Sequence, residues 1–115
     1  MAVGINECHF AGIIDRLNVK KLQSGHVVAN FSLNIEIEMK NKEGETYIKK
    51  AFPKMEAWNK TADLLIDNEG KVADIMGRYQ VDKDEEDNYY HKFVATRITV
   101  HGEPAGAVQT GDEPL

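Results

Sequence analysis

The sequence predicts an all-β fold, a five-stranded Greek-key barrel with one short helix between strands 3 and 4. Three observations carry this expectation. Apolar residues hold every second place from Val27 to Met39, seven in succession; four other stretches also read as strands; and only Lys60 to Asp67 clusters apolar residues as a short helix would.

The first strand contains Cys8, Phe10, Gly12 and Ile14 on one face, and Ser24-Gly25 supplies the turn into the second. In the second, Val27, Ala29, Phe31, Leu33, Ile35, Ile37 and Met39 alternate with Val28, Asn30, Ser32, Asn34, Glu36 and Glu38. Lys40 to Gly44 is a polar hairpin tip, and Glu45 to Trp58 forms the third strand. Pro53 within it cannot donate to a ladder, which predicts an edge position or a bulge. Asn59 is the expected helix cap, Ala62, Leu64, Leu65 and Ile66 the apolar content, and Asn68-Glu69-Gly70 the stop. The fourth strand, Lys71 to Val81, puts Ala73, Ile75, Gly77, Tyr79 and Val81 on one face. The fifth, Tyr90 to Val100, does the same with Lys92, Val94, Thr96, Ile98 and Val100. Five strands with a helix after the third is the order of the OB-fold, whose strands 2 and 3 and two loops receive oligonucleotides or oligosaccharides.

The 115 residues suit one domain, with 42% apolar and 29% charged side chains to fill a core and hydrate a surface. No apolar run exceeds three residues, Leu64 to Ile66 being one such, far short of a membrane span, and no export signal is read at the start. A single cysteine, Cys8, suits a reducing compartment, so the expected location is cytoplasmic, the host cytoplasm if the chain is phage-encoded. Net charge is −5, but its placement is uneven. Residues 82–88 hold 5 acids and 1 base, and residues 102–115 hold 3 acids and no base. The other 94 residues are net +2, which permits a basic face.

One side of the third strand reads Ile48, Lys50, Phe52, Lys54, Glu56, Trp58; the other reads Tyr47, Lys49, Ala51, Pro53, Met55, Ala57. Ala51, Met55 and Ala57 suffice to face a core, which turns the first side outward. That side interleaves cations with rings. Single-stranded nucleic acid offers a phosphate and an unstacked base at each step, so such a surface suits both parts of the repeat.

Three segments together resemble the bacterial and bacteriophage single-stranded DNA-binding proteins. They are Gly4-Ile5-Asn6 with Gly12-Ile13-Ile14, the stretch from Ser24-Gly25 through Val28-Ala29-Asn30-Phe31-Ser32-Leu33, and Trp58-Asn59-Lys60-Thr61-Ala62-Asp63. The resemblance implies an OB-fold domain over residues 1–101 and an acidic, disordered tail over 102–115. It also implies coating of single-stranded DNA with little sequence preference during replication, recombination or repair, and assembly into dimers or tetramers. It places base-stacking aromatics at Phe52 and Trp58 and a basic position at Lys54, while Lys40, Lys42, Lys50 and Arg78 are the further candidates to follow phosphates. Two departures stand out: Met39, expected to contact DNA by packing against a base, where the family often has a tryptophan, and the acidic stretch from Asp82 to Asn88 where it has a basic, aromatic-bearing ribbon. Binding is therefore expected on strands 2 and 3. The end of the chain, Asp112, Glu113, Pro114 and Leu115, is similar to the family's acidic tip, which docks replication and recombination partners.

No catalytic, metal or cofactor site is expected. Asp82, Asp84, Glu86 and Asn88 resemble the start of a calcium loop, but the sixth position is Asp87 instead of glycine and the twelfth Phe93 instead of glutamate. His9, His26, His91 and His101 show no ligand spacing. The rival readings are an OB-fold primosome accessory protein and, from another class, a metal-dependent nuclease using the acidic run.

Overall fold

The computed structural model describes residues 3–103. In chain order these form β1 (Cys8–Lys21), β2 (Val27–Lys40), β3 (Thr46–Ala51), β4 (Lys54–Trp58), α1 (Asn59–Asp63), β5 (Val72–Lys83) and β6 (Tyr89–Gly102). The expected tail tip, Asp112 to Leu115, lies outside the described residues. No helix among the described residues is long and apolar enough to cross a membrane.

The strands lie in the order β1-β5-β6-β4-β2-β3, and β1 also pairs with β2, so the sheet closes on itself with β3 outside the ring. All pairings are antiparallel except β4 with β6. With β3 and β4 taken as one interrupted strand, this is the five-stranded OB-fold barrel with its helix after the third strand. Closure leaves no open edge on the barrel itself.

The interruption in the third strand has a local cause. Leu33 N–H donates to the Pro53 carbonyl at 3.2 Å, and proline has no N–H to return the bond. Register is unaffected: Ala51 faces Ile35 and Lys54 faces Ser32, three residues further on each strand. Of the two expected outcomes, an edge position or a bulge, the bulge is absent: Pro53 removes one ladder bond and leaves the register intact.

The core gathers alternate residues of every barrel strand: Ile14, Ala29, Phe31, Leu33, Met55, Ala57, Ala73, Ile75, Ala95 and Ile98. Ala62 of α1 and Leu65 just beyond it close one end. Fully burying a side chain such as Leu33 or Ile75 is worth about 1.5–3 kcal/mol. The β2–β3 hairpin runs past the barrel's end, so Ile37, Met39 and Tyr47 are exposed although they continue the inner rows. Ala51 is exposed for the same reason, correcting its expected place in the core.

Two further expectations fail on geometry. Asn59 does not cap the helix; the cap position is Trp58, with no side-chain hydrogen bond. The Asn59 Oδ1 instead accepts the Val27 N–H at 3.0 Å, tying the helix start to β2. In β6 the single face expected from Lys92 to Val100 is divided by a register shift, Met76 facing Arg97 while Gly77 faces Ala95. The extra residue on β6, Thr96, reverses the alternation. Phe93 and Ala95 point inward before the shift, Ile98 and Val100 after it.

Candidate nucleic-acid interface

Residues directly opposite in an antiparallel pair share a face, and alternate residues along a strand share a side. Lys50 faces Glu36, Lys54 faces Ser32, Glu56 faces Asn30 and Trp58 faces Val28. With Met55 and Ala57 buried, this places Lys50, Lys54, Glu56 and Trp58 on the outer side of the sheet, and the unbroken register carries Phe52 with them. Phe52 is 48% exposed and Trp58 37% exposed, neither being spent on the core. From Phe52 to Trp58 the row spans about 20 Å at ~3.3 Å per residue.

The face widens across the barrel. Glu56 pairs with Val94, and Val94 with Arg78, so the row Asn30, Glu56, Val94, Arg78 crosses β2, β4, β6 and β5. Lys40 lies on the same side of the β2–β3 ribbon as Lys50, and Lys42 is at its tip. Met39 does not join them. It faces Tyr47 on the ribbon's other side, within 3.9 Å of the tyrosine hydroxyl.

A depression of about 340 Å³ is lined by Arg16, Asn18, Asn30, Ser32 and Lys54 together with the core residues Phe31 and Met55. Arg16 was not read as a site residue from sequence. It stands where β1 shifts register between Asp15 and Asn18, and its φ of 53° is left-handed. A bulge re-aims its side chain, and no alternation pattern announces one. Arg16, Lys40, Lys42, Lys54 and Arg78 have no acidic partner among the described residues, while Lys50 stands 3.9 Å from Glu36.

Sequence reasoning also missed Lys92. Its Nζ is 3.2 Å from Glu56 Oε1 and 2.9 Å from Asp82 Oδ2. The bond to Asp82, then that to Glu56, raises the Lys92 pKa against the opposing effect of burial. Bonds from Lys92 and Gln80 in turn lower the Asp82 pKa.

The acidic turn after β5 is largely self-satisfied. Asp84 accepts from the N–H groups of Glu86 and Asn88 at 2.8 and 2.9 Å and from the Tyr90 hydroxyl at 2.8 Å. Asp87 pairs with Lys83 at 3.0 Å. Below this turn one side of the β5–β6 hairpin bears Tyr79, His91 and Tyr89, with Tyr79 stacked on His91 and Lys83 over the Tyr89 ring. Among the described residues no group of three or more His, Cys, Asp or Glu side chains is placed to hold a metal ion.

No known family model matches the sequence, and no curated protein matches it. Solved structures match its shape. A deletion mutant of the single-stranded DNA binding protein from Thermus aquaticus superposes with a TM-score of 0.76 at 17% identity, over 92% of this chain and 54% of that one. The wild-type Thermus aquaticus protein gives 0.71 at 16% identity, over 87% and 52%. The chain thus spans about half the length of the two Thermus aquaticus chains. A Plasmodium falciparum SSB solved in complex with ssDNA gives 0.71 at 16% identity, over 88% of this chain and 98% of that one. In fold, this chain is an OB-fold barrel, similar in shape to the barrels of these single-stranded DNA-binding proteins.

Proposed function

We propose that this chain binds and coats single-stranded DNA with little sequence preference, keeping it unpaired during replication, recombination or repair. The carrying observation is the outer row of Phe52, Lys54 and Trp58, whose rings are exposed and whose cation has no acidic partner among the described residues. A fold neighbour solved with ssDNA supports the choice of ligand. Rings accept any base by its π face, which accounts for weak sequence preference, and the cations accept the phosphates.

The energies imply more than one contact class. Two stacked bases are worth roughly 2–6 kcal/mol, whereas a micromolar complex needs about 8. Phosphate contacts from Arg16, Lys40, Lys42, Lys50, Lys54 and Arg78, and the joining of several grooves in a dimer or tetramer, supply the difference in this reading.

Trp58 is the chain's one tryptophan, so its emission reports the face directly. Titration with polythymidine of increasing length should quench it, and a duplex of equal length should bind far more weakly. Equal affinity for duplex and single strand, or a Trp58→Ala protein that binds as well as the parent, overturns the proposal.

A further inference from the structure

Glu56 is an unexpected neighbour for a phosphate-binding row, since a carboxylate there repels the ligand. Its surroundings give it another task. The Trp58 indole N–H donates to Glu56 Oε1 at 2.7 Å, and the same oxygen is 3.2 Å from Lys92 Nζ. Lys92 reaches on to Asp82 Oδ2 at 2.9 Å, and the Gln80 side-chain amide donates to Asp82 Oδ1 at 3.0 Å. Five side chains on β4, β6 and β5 therefore form one chain of charge-assisted contacts ending on the indole.

Three physical consequences follow. The Glu56 side chain is only 16% exposed and that of Lys92 30%, so this pair is less screened than a surface ion pair, and the carboxylate's charge is locally balanced. The indole, tied by its one polar atom, loses rotational freedom that a stacking platform would otherwise give up when a base arrives. Lys92, held by two carboxylates, is also not available as a phosphate contact.

We propose that Glu56 and Lys92 are positioning residues that pre-set the Trp58 ring for base stacking, acting through the indole without touching the bases themselves. The inference rests on the proposed single-stranded DNA face, but its first measurement needs no DNA.

In the free protein, Glu56→Ala should increase the amplitude of fast indole motion in time-resolved Trp58 anisotropy and weaken its near-ultraviolet circular dichroism. Glu56→Gln keeps an acceptor for the indole N–H and should restore both signals toward those of the parent. Affinity of Glu56→Ala for polythymidine should fall roughly fivefold, the low end of what one stacked base is worth. Lys92→Gln should weaken binding while leaving the salt dependence unchanged. A phosphate-contacting Lys92 would instead flatten the slope by about 0.7 when removed.

Unchanged indole anisotropy in Glu56→Ala, with parental DNA binding intact, overturns the positioning role alone. So does a flattened salt slope in Lys92→Gln. A parent protein that binds no polythymidine overturns the reading of the face and the stacking role with it. Should Glu56→Ala fail to fold, Glu56→Gln and Lys92→Gln still decide the matter, because the first should preserve the indole signals and the second should loosen them.

Discussion

Leu33 donates its N–H to the Pro53 carbonyl and receives nothing back, so a single missing bond divides the third strand while the residues on both sides keep their register. That register is what carries Phe52 onto the same side as Lys54 and Trp58.

Replacing Pro53 by valine should therefore join the two strand segments. The regained bond contributes about 0.5–1.5 kcal/mol, and the lost restriction of the unfolded chain opposes it by about 0.4–1 kcal/mol. Melting should change little, while the new amide at position 53 becomes protected from hydrogen exchange. An unprotected amide there would show that the two strands are not in register across the gap.

Gly77 sits at a close approach of β5 to β6. A methyl group added to it would lie 2.3 Å from the Val94 carbonyl oxygen, a backbone atom that cannot rotate away. Gly77→Ala should cost roughly 1–3 kcal/mol or more as an overpacked site, and the resulting strand separation should displace Arg78 from its row. A thermal or urea melt coinciding with the parent's would refute the close approach.

Salt dependence separates the cations. Lys54→Gln and Arg16→Gln should each flatten the plot of log affinity against log salt by about 0.7, the loss of one single-strand phosphate contact. Lys83→Gln should leave the slope alone, since Lys83 pairs with Asp87 in the hairpin turn. A parental slope in Arg16→Gln would remove the β1 bulge from the interface.

The β5–β6 turn should respond to pH only at the extremes. Asp82 and Asp84 both titrate below the ordinary 3.8, Asp82 through its bonds from Lys92 and Gln80, Asp84 chiefly through the Asn88 N–H and the Tyr90 hydroxyl. A lowered carboxylate stabilises the fold fully above 3.8 and loses that contribution as pH falls through its folded value. Tyr90 and Lys92 are raised above 10.0 and 10.5, through their bonds to Asp84 and Asp82 respectively, so their contributions are full below those values and fade as pH climbs through the folded ones. Exchange protection of the turn amides should be flat between about pH 5 and 9 once corrected for intrinsic rates, and should fall below pH 3.8. A midpoint near neutrality would mean that a different group governs the turn.

Local chemistry made much of this molecule legible in its sequence. Alternation marked Ala29, Phe31 and Leu33 for the core and, through Met55 and Ala57, turned Lys54 and Trp58 outward. Turn residues located the hairpins: Gly25, with φ of 94°, accepts the left-handed geometry that its turn needs. Such signals are short-ranged, since each depends on a side chain and its neighbours within a few positions. What they lack is the partner strand. Closure of β1 on β2, the parallel contact of β4 with β6, and the end of the barrel that leaves Ala51 and Met39 exposed depend on residues far apart in the chain. The register shifts that re-aim Arg16 and divide the β6 face, and the ion pairs that draw Lys92 to Glu56 and Asp82, were likewise decided by tertiary structure. Period-two alternation specifies which side of a strand is apolar, but only the pairing partner determines where that side stops being covered.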